Sequence, residues 1–238
     1  DDEFRLTYIS RGMLSTSELS ILQADKEILA FAHRTIKMFG ISKSLFYAKN
    51  ADEAAKIYER VEKYEGISDR MEVEIAKYLT KAAEGRLSNV SKKNVHALLR
   101  VVSEIESIGD SNFNLAKTIM RKRNDGKEYS PEMTKRVEDM FVLVEEALSE
   151  MMHVLNENMT DMTVGSINNS LRIEKDINAL RNEYRMKNAT DVKEQKYPYE
   201  VSVTYMDMIG ECEKIGDYIL NVVEQYQETR AKHKVQEL

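Results

Sequence analysis

Residues 104–114 read E-I-E-S-I-G-D-S-N-F-N and residues 211–221 read E-C-E-K-I-G-D-Y-I-L-N, so six of eleven positions recur at an offset of 107. A chain that repeats itself in this way builds one supersecondary unit twice. Each copy sets a glutamate and an aspartate four residues apart, Glu106 with Asp110 and Glu213 with Asp217, which on a helix places both carboxylates on one face, one turn apart. Like charges so spaced cost a helix roughly 0.2–0.5 kcal/mol per pair unless a cation sits between them. Gly109 and Gly216 fall inside the same helices, where glycine costs about 1 kcal/mol relative to alanine. A glycine there is expected to let another backbone come close.

The punctuation of the chain supports helices throughout. Only nine glycines and two prolines interrupt 238 residues, and the remainder is rich in strong helix formers, so the expected class is all-α. No apolar run reaches the roughly 18 residues a membrane span requires. The net charge of −6 argues against a general nucleic-acid binder, and the short run Arg121, Lys122, Arg123 reads as a helix C-terminal turn favouring cations. The single cysteine, Cys212, excludes an intrachain disulfide and reads as a small core residue. No signal-peptide pattern is visible near Asp1, and the absence of an initiating methionine suggests a piece of something longer.

Residues 1–14 carry Phe4, Leu6, Tyr8 and Ile9 in no helical period and are expected to form an extended lead-in. Ser15 with Glu18 makes a capping box opening a first helix to about residue 47. A second runs from about Asp52 to Glu84, and the Ser88–Ser91 cluster separates it from a third, about Ser91 to Lys122, closed by Asn124-Asp125-Gly126. The second half opens on Ser130-Pro131, an N-cap followed by proline at the first helical position. Its helices are expected to about Asn158, from Val164 to Asn188, and from Pro198 to about Glu228. The expected organisation is a lead-in (1–14) and two three-helix repeats, 15–126 and 127–238, packed as one unit.

The helix before each I-G-D helix carries a related pair: Glu65 with Asp69, and Glu174 with Asn178, at an offset of 109. In an antiparallel hairpin, residues equidistant from the turn lie side by side. Asp69 and Asp110 are equidistant from the Ser88–Ser91 loop, and Asn178 and Asp217 from Tyr197-Pro198. Each repeat is therefore expected to gather four side chains from two helices: Glu65, Asp69, Glu106 and Asp110 in the first, Glu174, Asn178, Glu213 and Asp217 in the second. Oxygen-only ligands suit Mg²⁺, Ca²⁺ or Mn²⁺, and hold iron or zinc where bridging carboxylates are shared. The competing reading of the same acids is a solvated face paired with nearby Lys and Arg. His33, His96, His153 and His233 show no repeat and read as incidental, although Glu150 and His153 match one Glu-x-x-His element of the two that a di-iron bundle needs. The stripe Met133, Met140, Met151, Met152, Met159 reads as adaptable core packing. Gly-rich phosphate loops and Cys/His zinc spacings are absent.

Two three-helix repeats with E-x-x-x-D on facing helices and I-G-D in the third resemble the PhoU family. Ile105-Glu106-Ser107-Ile108-Gly109-Asp110 to Asn114, and Cys212-Glu213-Lys214-Ile215-Gly216-Asp217 to Asn221, correspond to that family's L-E-R-I-G-D-x-x-x-N signature. The resemblance covers about residues 15–230. The lead-in from Glu3 to Leu19 and the segment Ser68 to Ile75 are more similar still to the cytoplasmic PhoU-like region that follows the transmembrane part of bacterial Na⁺/phosphate cotransporter-family proteins. The resemblance implies a regulatory domain in phosphate handling, with iron or zinc held by the E-x-x-x-D carboxylates and no catalysis. This chain departs from the pattern at Asn178, which offers one neutral carbonyl oxygen in place of a carboxylate, and at Ser107 and Lys214, where the family carries arginine.

Three functional expectations follow. The first is a regulatory domain at the cytoplasmic face of the inner membrane, partnered by an N-terminal transporter domain of the same polypeptide or by a membrane phosphate transporter. The second is a free-standing adaptor that restrains a phosphate importer or a sensor kinase. The third, a metal-dependent hydrolase, lacks a nucleophile or general base placed by sequence. Either regulator is compatible with a homodimer, and neither calls for nucleic acid.

Overall fold

The computed structural model describes residues 3–9, 16–157 and 164–231. Those residues form six helices and no strand: α1 (Ser17–Phe46), α2 (Ala51–Ala83), α3 (Asn89–Asn124), α4 (Pro131–Asn156), α5 (Val164–Lys193) and α6 (Tyr199–Ala231). Most starts are fixed by side-chain caps that satisfy orphan N–H groups. Asn50, Ser88 and Ser130 accept from the backbone N–H of Glu53, Ser91 and Met133, and Pro131 follows Ser130 at the first helical position. At α1 the cap is Thr16, accepting from Leu19 N–H, one residue beyond the expected Ser15, which lies outside the described residues together with Met159 and His233. The Glu18 carboxylate accepts from the Ser91 hydroxyl at 2.7 Å and ties the start of α1 to the start of α3.

The α5 helix runs five residues past the expected Asn188, to Lys193. It ends where Gln195 adopts the left-handed region at φ 58°, and the Lys196 N–H folds back to the Asp191 carbonyl at 2.9 Å. Burial of Arg136 beneath this end holds it closed: its guanidinium donates to Asp191 at 3.2 Å and to Glu132 at 2.6 Å, while Lys196 covers Asp191 from outside at 2.8 Å.

Helices α1–α3 pack together, α4–α6 pack together, and the two groups meet along α3–α6 and α1–α4. Cross-links between α3 and α6 fix their direction. Arg121 pairs with Asp207, Glu104 accepts from Asn221 at 3.2 Å, and Arg100 donates to Gln225 at 2.7 Å, so residue numbers rise along α3 as they fall along α6 and the two run antiparallel. At the α1–α4 junction Phe39 and Phe46 meet Phe141 edge to face, at centroid distances of 5.9 and 5.6 Å, a geometry worth about 0.5–1.5 kcal/mol per pair beyond the area buried. Met133, Met140, Met151 and Cys212 are fully enclosed as core residues, and burial pushes the Cys212 thiol well above its ordinary pKa. The central α3–α6 pair leaves α2 and α5 on the outside, which places the two hairpins with paired acids on separate flanks of the molecule.

Residues 3–9 form a strap without regular structure. Its anchor is Glu27, a carboxylate with no solvent exposure. The backbone N–H groups of Thr7, Tyr8 and Ile9 donate to it, the shortest at 2.7 Å, which stands in for the water the acid has lost. Phe4 lies under the Arg70 guanidinium at 4.0 Å, so the strap touches α2 as well as α1.

Candidate functional site

The packing of α2 on α3 turns on one glycine. A Cβ at Gly109 would lie 2.7 Å from Ser68 Oγ, and a Cβ at Gly216 would lie 2.9 Å from Ile177 Cδ1. Ser68 and Ile177 are equivalent in the two repeats. The expected close approach of a backbone is therefore an approach of side chains: each glycine makes room for the residue directly before Asp69 or Asn178. That contact brings the E-x-x-x-D faces of the two helices level.

In the first repeat one carboxylate oxygen from each of Glu65, Asp69 and Asp110 lies within 4.8 Å of the others. Glu106 stands one turn before Asp110 on α3 and beside this trio, close enough for the charges of Asp110 and Asp69 to act on it. A fifth acid, Glu72, sits beside Glu106 and its charge acts on it. Glu65, Glu72 and Glu106 are half-buried, Asp69 and Asp110 are exposed, and their charges repel. Partial burial, then the hydrogen bond and charge of Asp110 with the charges of Glu72 and Asp69, push Glu106 up to about 8. Burial followed by neighbouring acids also raises Glu65, Asp69 and Glu72. Lys117 pulls Glu65 the other way, and its effect is outweighed.

The second repeat assembles the same positions with different chemistry. Asn178 donates its amide to Glu174, and Asp217 lies close enough to Glu213 and Glu174 for both to act on its carboxyl. Arg181 brings its guanidinium to 3.6 Å from Glu213. Burial and the charge of Glu213 raise Asp217 to about 6, and Arg181 pulls the other way. Arg181 stands seven residues after Glu174, as Glu72 stands seven after Glu65. Glu65-x₃-Asp69-x₂-Glu72 thus becomes Glu174-x₃-Asn178-x₂-Arg181, two changes that both raise the local charge. Neither Glu72 nor Arg181 stood out in the sequence, although carrying the 109-residue comparison one turn further pairs them.

The donor set of the first repeat fits a divalent cation: three carboxylate oxygens within reach of one another, in a group whose mutual repulsion raises Glu65, Asp69, Glu72 and Glu106. The donor set of the second does not fit as well, because a guanidinium already occupies the acidic face.

A sequence model of the PhoU domain matches residues 28–119 and 137–226, more than half of the chain. The chain belongs to the PhoU family. A PhoU protein from Pseudomonas aeruginosa superposes with a TM-score of 0.78 at 14% identity, covering 90% of this chain and 99% of that one. The phosphate transport system regulatory protein PhoU from Streptococcus pneumoniae gives 0.73 at 14% identity, covering 91% and 97%. At such identity these similarities speak to the fold, which is the all-α PhoU fold of two repeats. A search of curated protein sequences finds no match. Among the described residues no helix is long and apolar enough to cross a membrane.

Proposed function

We propose that this PhoU-family chain regulates phosphate transport by protein contact, with a divalent cation bound at the first carboxylate cluster. The observation that carries the metal assignment is the charge contrast between repeats: Glu65, Asp69 and Asp110 converge on α2–α3 with Glu72 and Glu106 beside them, whereas Arg181 supplies a cation among the acids of α5–α6. Glu65, Asp69 and Asp110 are the primary ligands, with Glu106 and Glu72 completing the shell. The second set, Glu174, Asn178, Glu213 and Asp217, holds together without metal. A cation at the first cluster neutralises the repulsion and fastens α2 to α3; iron or zinc follows from the family resemblance, and Mg²⁺, Mn²⁺ or Ca²⁺ from the oxygen ligands.

For the partner, an adaptor acting on a separate phosphate importer or its sensor kinase is the first reading, supported by the near-complete coverage of two PhoU chains. Its test is co-purification with such a membrane partner at the cytoplasmic face, compared between metal-loaded and chelated protein. Capture that follows metal loading supports the reading; no capture in either state removes it. The second reading, a PhoU-like region within a Na⁺/phosphate cotransporter-family polypeptide, is favoured by the lead-in and the Ser68–Ile75 segment. It requires membrane spans encoded upstream in the same reading frame.

A further inference from the structure

The strap builds a second polar site, remote in charge from the first. Between the strap and the outer faces of α1 and α2 lies a cavity of about 770 Å³. Arg5 enters it from the strap, His33, Arg34 and Lys37 from one face of α1, and Lys63 from α2; among the described residues Glu3 is the only carboxylate lining it. Four permanent cations thus face one acid in a chain whose net charge is −6. Among the described residues, Arg5, Lys37 and Lys63 form no salt bridge, although the chain carries 41 acidic residues. Arg34 is held in place by donating to the Glu3 carbonyl at 3.2 Å, which leaves further N–H groups of its fork available.

We infer that this groove binds a soluble, multiply charged phosphate anion, of the class of a polyphosphate or a nucleoside triphosphate. Volume and charge set the class. The cavity falls in the range of small-molecule clefts, about 300–1,000 Å³, and the fixed excess of roughly three positive charges complements a tri- or tetra-anion. Arginine forks suit phosphate oxygens geometrically, and lysines add point charges. The strap wall depends on the enclosed Glu27 carboxylate, because Thr7, Tyr8 and Ile9 are tied to it. Anion binding therefore bridges the strap to the α1–α2 hairpin, on the molecule's basic face rather than at its acidic cluster.

The test is calorimetric titration of the full chain with sodium tripolyphosphate, in chelator and without divalent ions, so that no metal at the carboxylates recruits the anion. Parallel arms use ATP, orthophosphate and phosphatidylglycerol vesicles. The expected result is one site per chain for tripolyphosphate and ATP, at least tenfold weaker binding of orthophosphate, and a marked loss of affinity between 50 and 200 mM salt as counter-charges are screened. Lys37→Glu/Lys63→Glu, at two exposed positions whose replacement leaves the melting temperature within a few degrees of wild type, should weaken tripolyphosphate at least tenfold. Glu27→Ala, which releases the strap, should weaken it through loss of the Arg5 wall. Absence of binding at millimolar tripolyphosphate, binding unchanged in the lysine double variant, or association with vesicles alone would each overturn the inference.

Discussion

Replacing Asn178 by Asp and Arg181 by Glu rebuilds in the second repeat the five-carboxylate face of the first. In wild-type protein the Arg181 guanidinium lies 3.6 Å from Glu213. At that separation the attraction is about 1 kcal/mol at the dielectric constant of water and about 5 kcal/mol at an effective value of 20. Both side chains keep partial exposure, 30% and 19%, so a loss of about 2 kcal/mol is appropriate once screening is included. Inverting the charge adds repulsion, bringing the cost in chelator to roughly 3 kcal/mol. For a chain of this size that lowers the melting temperature by roughly 6–12 °C. A divalent cation at 100 times its dissociation constant returns about 2.7 kcal/mol, close to the whole loss. The assay is thermal unfolding by circular dichroism in chelator and in excess Mn²⁺ or Zn²⁺, with bound metal counted on the same samples. The double variant should melt lower in chelator, recover with metal, and carry a second metal site. If it takes up no more metal than wild type and its unfolding ignores the ion, the charge argument is refuted.

Other outcomes follow from the same geometry. Gly109→Ala gains about 1 kcal/mol of helix propensity but drives a Cβ to 2.7 Å from Ser68 Oγ; overpacking costs typically 1–3 kcal/mol, so urea denaturation should show a net loss and metal binding should weaken as the acids fall out of level. Glu27→Ala leaves three strap N–H groups without their acceptor, which should cost roughly 3 kcal/mol and expose residues 3–9 to protease while α1–α6 stay intact. In chelator, stability should fall as pH rises from about 4.5 towards 8, because Glu106 is held near 8 in the fold against an ordinary 4.5: between those values the native state binds more protons than the unfolded one. Denaturation at pH 5 and pH 8 measures this, and Glu106→Gln should flatten the trend.

The architecture was largely written in the chain because its helix starts carry strong chemical marks. Ser130-Pro131 and the Ser88–Ser91 cluster place two of them to within a residue or two, and equidistance from the hairpin turns brought Asp69 level with Asp110 without coordinates. The end of α5 was not legible, since Gln195 takes a left-handed conformation that glycine or asparagine would have advertised. Glu27 was hidden for a related reason: a single acid among Ala24, Ile28 and Phe31 declares its role only when the strap's N–H groups are seen to converge on it. Glu72 and Arg181 lie outside the four-residue motif and were passed over, yet they set the charge of each cluster. The I-G-D glycines were expected to admit a backbone and instead admit the side chains of Ser68 and Ile177, residues whose contact is decided by helix rotation.

Metal is needed at the first cluster and not at the second. The decisive measurement is metal content by inductively coupled plasma mass spectrometry, after incubation with iron, zinc or manganese and removal of free ion. It compares wild type with Asp69→Asn/Asp110→Asn and Glu213→Gln/Asp217→Asn. Stoichiometric metal that vanishes in the first variant and persists in the second is the predicted result. Wild-type protein that stays empty, or metal lost equally in both variants, would contradict it.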